Sequence, residues 1–425
     1  MREACCIEAE GLAYAERIFT TVRDMSKDGP GVTRQGYGPV ESRVLDYLEG
    51  LGRELDLEIE KDAAGNVWMT LPGEDRTLPA FVAGSHADSV PEGGNFDGLA
   101  GIVAALTVLW WMRRTNFTPK RDVRALLLRC EESSFFGKAY VGSLGMMGRL
   151  TEADLQLKHR TTGETLEAAM RSQGVDPSAL VTGRPVVDTS KIAAFVELHI
   201  EQGPMLDRDP EVRTAVVTGI RGNIRHKRVV CHGETAHSGA LDRIYRHDAV
   251  MATARLLSRM EDRWTEWNEA GKDLVFTTGV LTTAPTAAIS VIPGETAFTI
   301  DMRSLSTEVL EDFHELLLEE AKRIEAERGV RFEFDNALRT APAVVDAALS
   351  DRLVESARHA GVPAMRLASG AGHDTAVLAN AGIPVAMIFI ANQNGSHNPH
   401  EAMKLEDFMA GTAVLWNAVK RFDEY

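Results

Sequence analysis

Residues suited to metal-assisted hydrolysis follow the strand-like apolar runs of this 425-residue chain. The run 80–84 leads into Ser85-His86-Ala87-Asp88, and Asp97 comes soon after in Gly93-Gly94-Asn95-Phe96-Asp97-Gly98. The run 123–129 reaches Cys130 and then Glu131-Glu132. The run 192–198 ends at His199-Ile200-Glu201-Gln202-Gly203, and 384–390 precedes Ser396-His397-Asn398-Pro399. Two divalent metals about 3.5–4 Å apart can share a water, lower its pKa and generate a nucleophile at neutral pH. Such a centre needs a bridging carboxylate, terminal ligands and a base, and zinc accepts imidazole nitrogen and carboxylate oxygen. His86, Asp97, Glu132, His199 and His397 form a suitable mixed set, with Glu131 left unligated as general base. Asp88, close to His86 in sequence, can accept the other ring N–H of that histidine and fix its tautomer. Taken singly, each residue has an ordinary reading as a surface histidine, a solvated acid pair or turn chemistry. Convergence changes that, because ligands in open α/β sheets gather beyond the carboxyl ends of the strands. The five candidates are expected at five strand ends of one sheet.

The elements that must position them are those of a large globular enzyme. The length exceeds the ~250–300 residues at which single cores stop growing, so two domains are expected. Hydrophobic content of 44% and charged content of 25% are ordinary for a globular protein. A net charge of −16 without a basic stripe argues against nucleic acid as a partner. Cys5, Cys6, Cys130 and Cys231 show neither zinc-finger spacing nor a disulfide framework, which fits a reducing cytoplasm. Met1-Arg2-Glu3-Ala4-Cys5-Cys6 lacks the apolar run of a signal peptide. The apolar stretch 99–112 is shorter than the ~20 residues that cross a bilayer, so it reads as a buried helix behind the Asp97 loop.

Val40, Val44, Leu45, Leu48, Leu51 and Leu55 repeat at helical spacing, which predicts a helix over 40–55. Strands follow at 57–59 and 67–71 around the turn Ala64-Gly65-Asn66. Strand and helix then alternate to about residue 210 and resume near 345, with a helix over 346–360 capped by Gly361. This pattern predicts an α/β fold with a mixed, largely parallel sheet. Between these parts come strands at 228–232, 274–282, 296–304 and 331–334 and helices at 246–262 and 307–328, an inserted βαββαβ (ferredoxin-like) domain. The expected division is a catalytic domain of residues 1–214 and 336–425 with an insertion of 215–335. Gly203-Pro204 to Asp209-Pro210 and the segment 336–342 read as its hinges.

The quoted motifs, from Gly84-Ser85-His86-Ala87-Asp88 through His199-Ile200-Glu201-Gln202-Gly203 to Ser396-His397-Asn398-Pro399, resemble the M20 metallopeptidase family. His-Ile-Glu-Gln-Gly resembles its hydantoinase/carbamoylase branch of N-carbamoyl-L-amino-acid amidohydrolases, β-ureidopropionases and allantoate amidohydrolases. The resemblance implies two divalent metals per subunit, zinc first with manganese or cobalt as alternatives. Asp97 would bridge them, His86 and His199 would hold one, Glu132 and His397 the other, and Glu131 would act as base. It also implies that His237, in Gly233-Glu234-Thr235-Ala236-His237-Ser238-Gly239, stabilises the tetrahedral intermediate in the site of a partner subunit. Gln202 and Arg303 match positions that hold substrate, the arginine through a carboxylate, which suits the bidentate geometry of guanidinium. Ser369-Gly370-Ala371-Gly372-His373-Asp374 resembles a glycine-rich loop lining the site, which adds Gly372 and His373. The insertion would serve as lid and homodimer contact.

The substrate shell departs from the family. His237 is followed by Ser238-Gly239-Ala240-Leu241-Asp242-Arg243 where the family often reads Ala-Gly-Thr-Thr-Pro-Met. The segment 284–294 lacks the usual asparagine, and Ser133-Ser134-Phe135-Phe136 replaces Gly-x-Arg-Phe. The expected function is therefore a cytoplasmic two-metal amidohydrolase cleaving a carbamoyl, ureido or amide C–N bond of a small carboxylate-bearing substrate. The alternatives are an aminoacylase, dipeptidase or aryl-amine hydrolase of the same family, and a metal-binding protein without turnover. An unligated Glu131 argues against the last, since binding alone needs no base.

Overall fold

The structure is a computed structural model that describes residues 2–424, with side chains from residue 9 onward. The side chains of residues 1–6, read above as lacking a leader, lie outside the described part. The chain forms two compact units, Met1–Thr218 with Val344–Tyr425, and Gly219–Ala343. These crossings differ from the 214/215 and 335/336 read from the sequence. Leu338–Thr340 is a strand paired antiparallel with Gly222–His232, and Ile220 bridges Ala343, so the smaller unit ends at Ala343 rather than 335, while it begins at Gly219 rather than 215. The expected hinge at 336–342 thus contains the strand Leu338–Thr340, and Gly203 to Pro210 lies inside the larger unit.

The larger unit is a mixed α/β fold built on an eight-stranded sheet. Its centre is parallel, with Val385–Ile390 beside Ile192–Ile200, then Ala80–His86, then Val123–Leu128. Antiparallel strands flank it, Thr214–Ile220 on one side and Val67–Leu71 with Glu58–Lys61 on the other. Ala364–Ser369 completes the edge next to Thr214–Ile220. The central strands are buried along nearly their whole length, which is why they appear in sequence as unbroken apolar runs rather than alternating ones. At the Glu58–Lys61/Val67–Leu71 hairpin, the Asp62 carboxylate accepts from the backbone N–H of Ala64 and Asn66 and from the Trp68 indole.

The predicted helices are present as Pro39–Glu54, Leu99–Arg114 and Ala347–Ala360. The last is capped by the Asp346 carboxylate at its start and by Gly361, at φ +67°, at its end. Leu99–Arg114 packs against Ala80–His86 and is buried almost all round. Gly101 makes this approach possible: a Cβ there would stand 2.3 Å from the Leu198 carbonyl oxygen and 2.6 Å from the Ser85 Cβ. Among the described residues no helix is long and apolar enough to cross a membrane.

The smaller unit has its own core, with Phe298, Ile300, Met302, Phe313, Leu317 and Ile324 at its centre. Its sheet order is Val275–Thr277, Glu295–Ser304, Gly222–His232 and Arg331–Phe334, backed by Ala249–Glu269 and Thr307–Arg328. Glu295–Ser304 alternates buried and part-buried positions, the signature of a sheet covered on one face. The strand expected at 274–282 is two strands, Val275–Thr277 and Leu281–Thr283. Both pair with Glu295–Ser304, and the ladder is interrupted where the register of that strand shifts between Phe298 and Ile300.

Because Gly101 seats its helix on the strands that carry His86 and His199, Gly101→Ala should push helix and sheet apart. A loss of about 1–3 kcal/mol is expected from such overpacking, read by denaturant unfolding.

Candidate metal centre

The five ligand candidates meet at one place, and Asp97 is its centre. They come from the carboxyl ends of four strands rather than five, since Asp97 has no strand of its own and sits on the loop that leaves Ala80–His86. One Asp97 oxygen, Oδ1, lies 3.2 Å from His199 Nε2 and 3.5 Å from His86 Nε2. The other, Oδ2, lies 3.3 Å from His397 Nε2, which is itself 3.2 Å from Glu132 Oε1. Two groups able to hold a cation result, His86/Asp97/His199 and Asp97/Glu132/His397, sharing the one carboxylate. A third combination, Glu197/His199/His373, overlaps the first.

Local backbone and buried acids hold this geometry. The Asp88 carboxylate accepts from the backbone N–H of Glu131 at 2.9 Å and of Glu132 at 3.0 Å, and stands 3.4 Å from His86 Nδ1. It thus orients the imidazole and binds the two-glutamate turn together. That turn begins at Cys130, whose φ of +51° swings the chain off the strand so that neighbouring carboxylates can face one site. Buried Glu41 fixes the turn from behind, accepting from the Cys130 N–H at 3.0 Å and from Arg129 Nε at 2.7 Å. Gln202 and His397 also have positive φ, at 63° and 60°, a backbone cost that functional sites commonly carry. Gly98, at φ +66°, leaves room for the His86 ring, whose Cε1 would be 2.4 Å from a Cβ there. His199 donates from Nδ1 to the Ile200 carbonyl at 2.9 Å, which turns Nε2 towards Asp97.

The electrostatics follow from the crowding of acids and imidazoles in a buried place. Burial opposes ionisation of Asp97, but its contacts with His199, His397 and His86 outweigh that and hold it well below the usual carboxylate range. His86 is pulled down by burial and raised more by Glu131, Asp88 and Asp97, ending well above an ordinary histidine. His199 is likewise raised, by Asp97 against burial. Asp97 and Glu132 lift His397 to about 11. Burial raises Glu131 well above an ordinary glutamate, with Glu132 adding to it and His86 opposing.

The remaining sequence candidates divide between the units. Gln202 lies at the centre, donating from Nε2 to Asp97 Oδ2 at 2.8 Å. His373 is buried, bonded to Ser369 Oγ at 2.9 Å and set edge-on against His199; burial, then His199, keeps it neutral. Gly372 accommodates the Tyr140 hydroxyl, which a Cβ at that position would meet. His237 and Arg303 belong to the smaller unit. His237 is exposed on a short ribbon opposite Val291, its Nδ1 accepting from Gly239 N–H, and Arg303 pairs with Asp301 at 2.8 Å.

Several site residues were not singled out from the sequence. Ser396 donates to Asp97 Oδ2 and also lies against Glu401, which accepts from the Phe96 N–H at 2.8 Å. Buried Glu197 accepts from Ser85 and Thr375. Glu197 could have been found, since it stands two residues before His199 on the same strand face. Glu401 follows a loop with no periodic signal.

Residues 82–421 match peptidase family M20/M25/M40. The chain belongs to this family. It lies in the hydantoinase/carbamoylase branch, as its relatives show. It is 32% identical over 416 residues to an N-carbamoyl-L-amino-acid amidohydrolase of Paenarthrobacter aurescens, covering 97% of this chain and 98% of that one. It is 32% identical over 394 residues to the allantoate amidohydrolase of Bacillus subtilis, covering 92% of each. A crystal structure of an amidase of the hydantoinase/carbamoylase family from Burkholderia multivorans superimposes with a TM-score of 0.86 at 28% identity, over 96% of this chain and 97% of the other. This M20 protein is accordingly an enzyme, a hydrolase of C–N bonds. Enzymes of the family depend on metal, and the groups around Asp97 are candidate ligands.

His86, well above an ordinary histidine, and His397, at about 11, hold protons at neutral pH that a cation must displace, and His199 is raised in the same direction. Loading Zn2+ should release protons, and affinity should rise with pH as the imidazoles give up theirs. Titration calorimetry in buffers of different ionisation enthalpy checks this; a binding heat independent of buffer would contradict it.

Proposed function

We propose that this M20 enzyme is a two-metal amidohydrolase that cleaves the C–N bond of a carbamoyl or ureido group on a small carboxylate-bearing substrate. The observation that carries the reading is the division of Asp97, with Oδ1 towards His86 and His199 and Oδ2 towards His397 beside Glu132. The donor set fits paired divalent cations: imidazoles and carboxylates packed within reach of one another, arranged as two groups sharing one bridging acid. His86 and His199 would hold one cation, Glu132 and His397 the other, with zinc as first choice and manganese or cobalt as alternatives. When bound, the pair supplies Lewis acidity, which polarises a carbonyl and acidifies a water.

The residues of the chain supply the rest. Glu131 stands outside both groups, and its raised pKa suits a base that takes a proton from water and returns it to the leaving nitrogen. Gln202, Gly372 and His373 line the substrate side, and Arg303 pairs with the substrate carboxylate. His237 stabilises the oxyanion in the site of a second copy, and the smaller unit, a ferredoxin-like insertion, acts as lid and homodimer contact. The exposed strand Leu281–Thr283 supports that role, because an open sheet edge is a natural place for pairing. Buried, unpaired Cys130 and Cys231 support a reducing cytoplasm. The names of the relatives support a carbamoyl amino acid or allantoate-like ureido compound as substrate.

The test is ammonia release across N-carbamoyl, ureido and N-acyl acids with Zn2+, Mn2+ or Co2+ added. Ammonia from carbamoyl or ureido compounds is expected, while turnover of N-acyl acids alone would replace the reading with an aminoacylase. Glu131→Gln should retain metal while kcat falls by about 10²–10⁴, the usual contribution of a general base. An unchanged kcat at saturating metal would remove Glu131 from that role.

A further inference from the structure

We infer that Arg34 is a positioning residue of the metal centre, tying together the two chain segments that carry His86 and Asp97. The inference rests on the proposed function, in which those two residues hold a metal. Arg34 is fully buried, and its contacts fall on a small set of segments. Nε donates to the Ala87 carbonyl at 2.7 Å, between His86 and Asp88. Nη1 donates to Asn95 Oδ1 at 3.1 Å, two residues before Asp97, and more weakly to Ser26 Oγ at 3.4 Å. The Arg34 backbone adds a reciprocal pair with Ser89, its N–H donating to Ser89 Oγ at 2.9 Å and its carbonyl accepting from the Ser89 N–H at 3.0 Å. Asn95 is anchored in turn, donating to the Phe19 carbonyl at 3.0 Å.

Stability alone is a poor reason to keep this side chain. Among the described residues Arg34 makes no ion pair, and its Nη2 has no hydrogen-bond partner. A buried cation in that condition costs free energy, and apolar replacements of buried charges are often neutral or stabilising. What the guanidinium offers instead is a rigid planar fork whose donors diverge towards two loops at once. It remains charged: burial lowers its pKa to about 10, with Asp88, Glu401 and Asp97 opposing the fall. One residue therefore sets the spacing of the His86 and Asp97 loops and places a positive charge behind an acid-rich centre.

The test compares Zn2+ affinity, by competition with a chelator, in Arg34→Lys, Arg34→Gln and His86→Ala proteins whose folding is checked by circular dichroism and thermal melting. Arg34→Gln should bind Zn2+ about 10–100-fold more weakly, the range typical for residues that orient ligands, and Arg34→Lys should fall between it and the unsubstituted protein. A folded Arg34→Gln protein with unchanged Zn2+ affinity would overturn the inference. Should the Arg34 variants not fold, Asn95→Ala, which removes the Nη1 acceptor, decides: weakened affinity supports the tie and unchanged affinity rejects it. His86→Ala separates the two readings, since unchanged Zn2+ affinity there defeats the metal assignment itself, whereas loss there with retention in Arg34→Gln defeats only the role of Arg34.

Discussion

A buried carboxylate facing three imidazoles is the constraint around which the larger unit is organised. Asp97 can stay ionised away from water only because His86, His199 and His397 converge on it. That convergence requires three parallel strands to end side by side, with the Asp97 loop folded back over them. The helix after the loop must then lie almost directly on the sheet, and the small residues Gly98 and Gly101 make the necessary room. The packing of the fold and the chemistry of the centre are thus one geometric problem.

Around this centre lies a layer of buried acids whose partners are mainly backbone N–H groups and hydroxyls. Asp88 holds Glu131 and Glu132, Glu41 holds Cys130, Glu401 holds Phe96, and Glu197 holds Ser85 and Thr375. Buried polar groups are tolerable when hydrogen-bonded, and the bond from the Cys130 N–H to Glu41 also holds the residue whose positive φ turns the two glutamates towards the site. Two of these acids also raise nearby imidazoles, Asp88 acting on His86 and Glu197 on His199. A cation held by the groups around Asp97 would relieve that imbalance.

The smaller unit is stabilised separately. Its one-sided sheet under two helices contains a buried chain in which His226 lies between Asp335 and His314, with Arg339 beyond. Two of the segments read as departing from the family, the one after His237 and 284–294 with the fully exposed Ile289, lie largely on exposed parts of this unit, whereas Ser133-Ser134-Phe135-Phe136 belongs to the larger unit with both phenylalanines buried. The first two leave the core of Phe298, Phe313 and Ile324 untouched, whereas Phe135 and Phe136 are part of a core cluster of the larger unit.

Apolar periodicity and turn residues in the sequence determined several of the elements, though not the helices Arg2–Ser26 and Leu405–Lys420. Thr307–Arg328 and Arg331–Phe334 have the bounds the pattern predicts, and the Asp346 and Gly361 caps delimit Ala347–Ala360. Four of the ligand candidates were legible because His86, Glu132, His199 and His397 stand at or beyond the ends of largely buried strands, where a polar residue stands out against an apolar run. Tertiary structure decided the rest. The interruption between Val275–Thr277 and Leu281–Thr283 depends on the register of the strand they pair with, and the boundary at Ala343 depends on pairing with Ile220. Arg34 and Glu41 act through bonds to residues more than fifty positions away, and Glu401 reaches its loop across most of the chain. A short-range pattern reports which face of an element is apolar, whereas a buried polar group takes its partners from whatever the fold brings within hydrogen-bond distance.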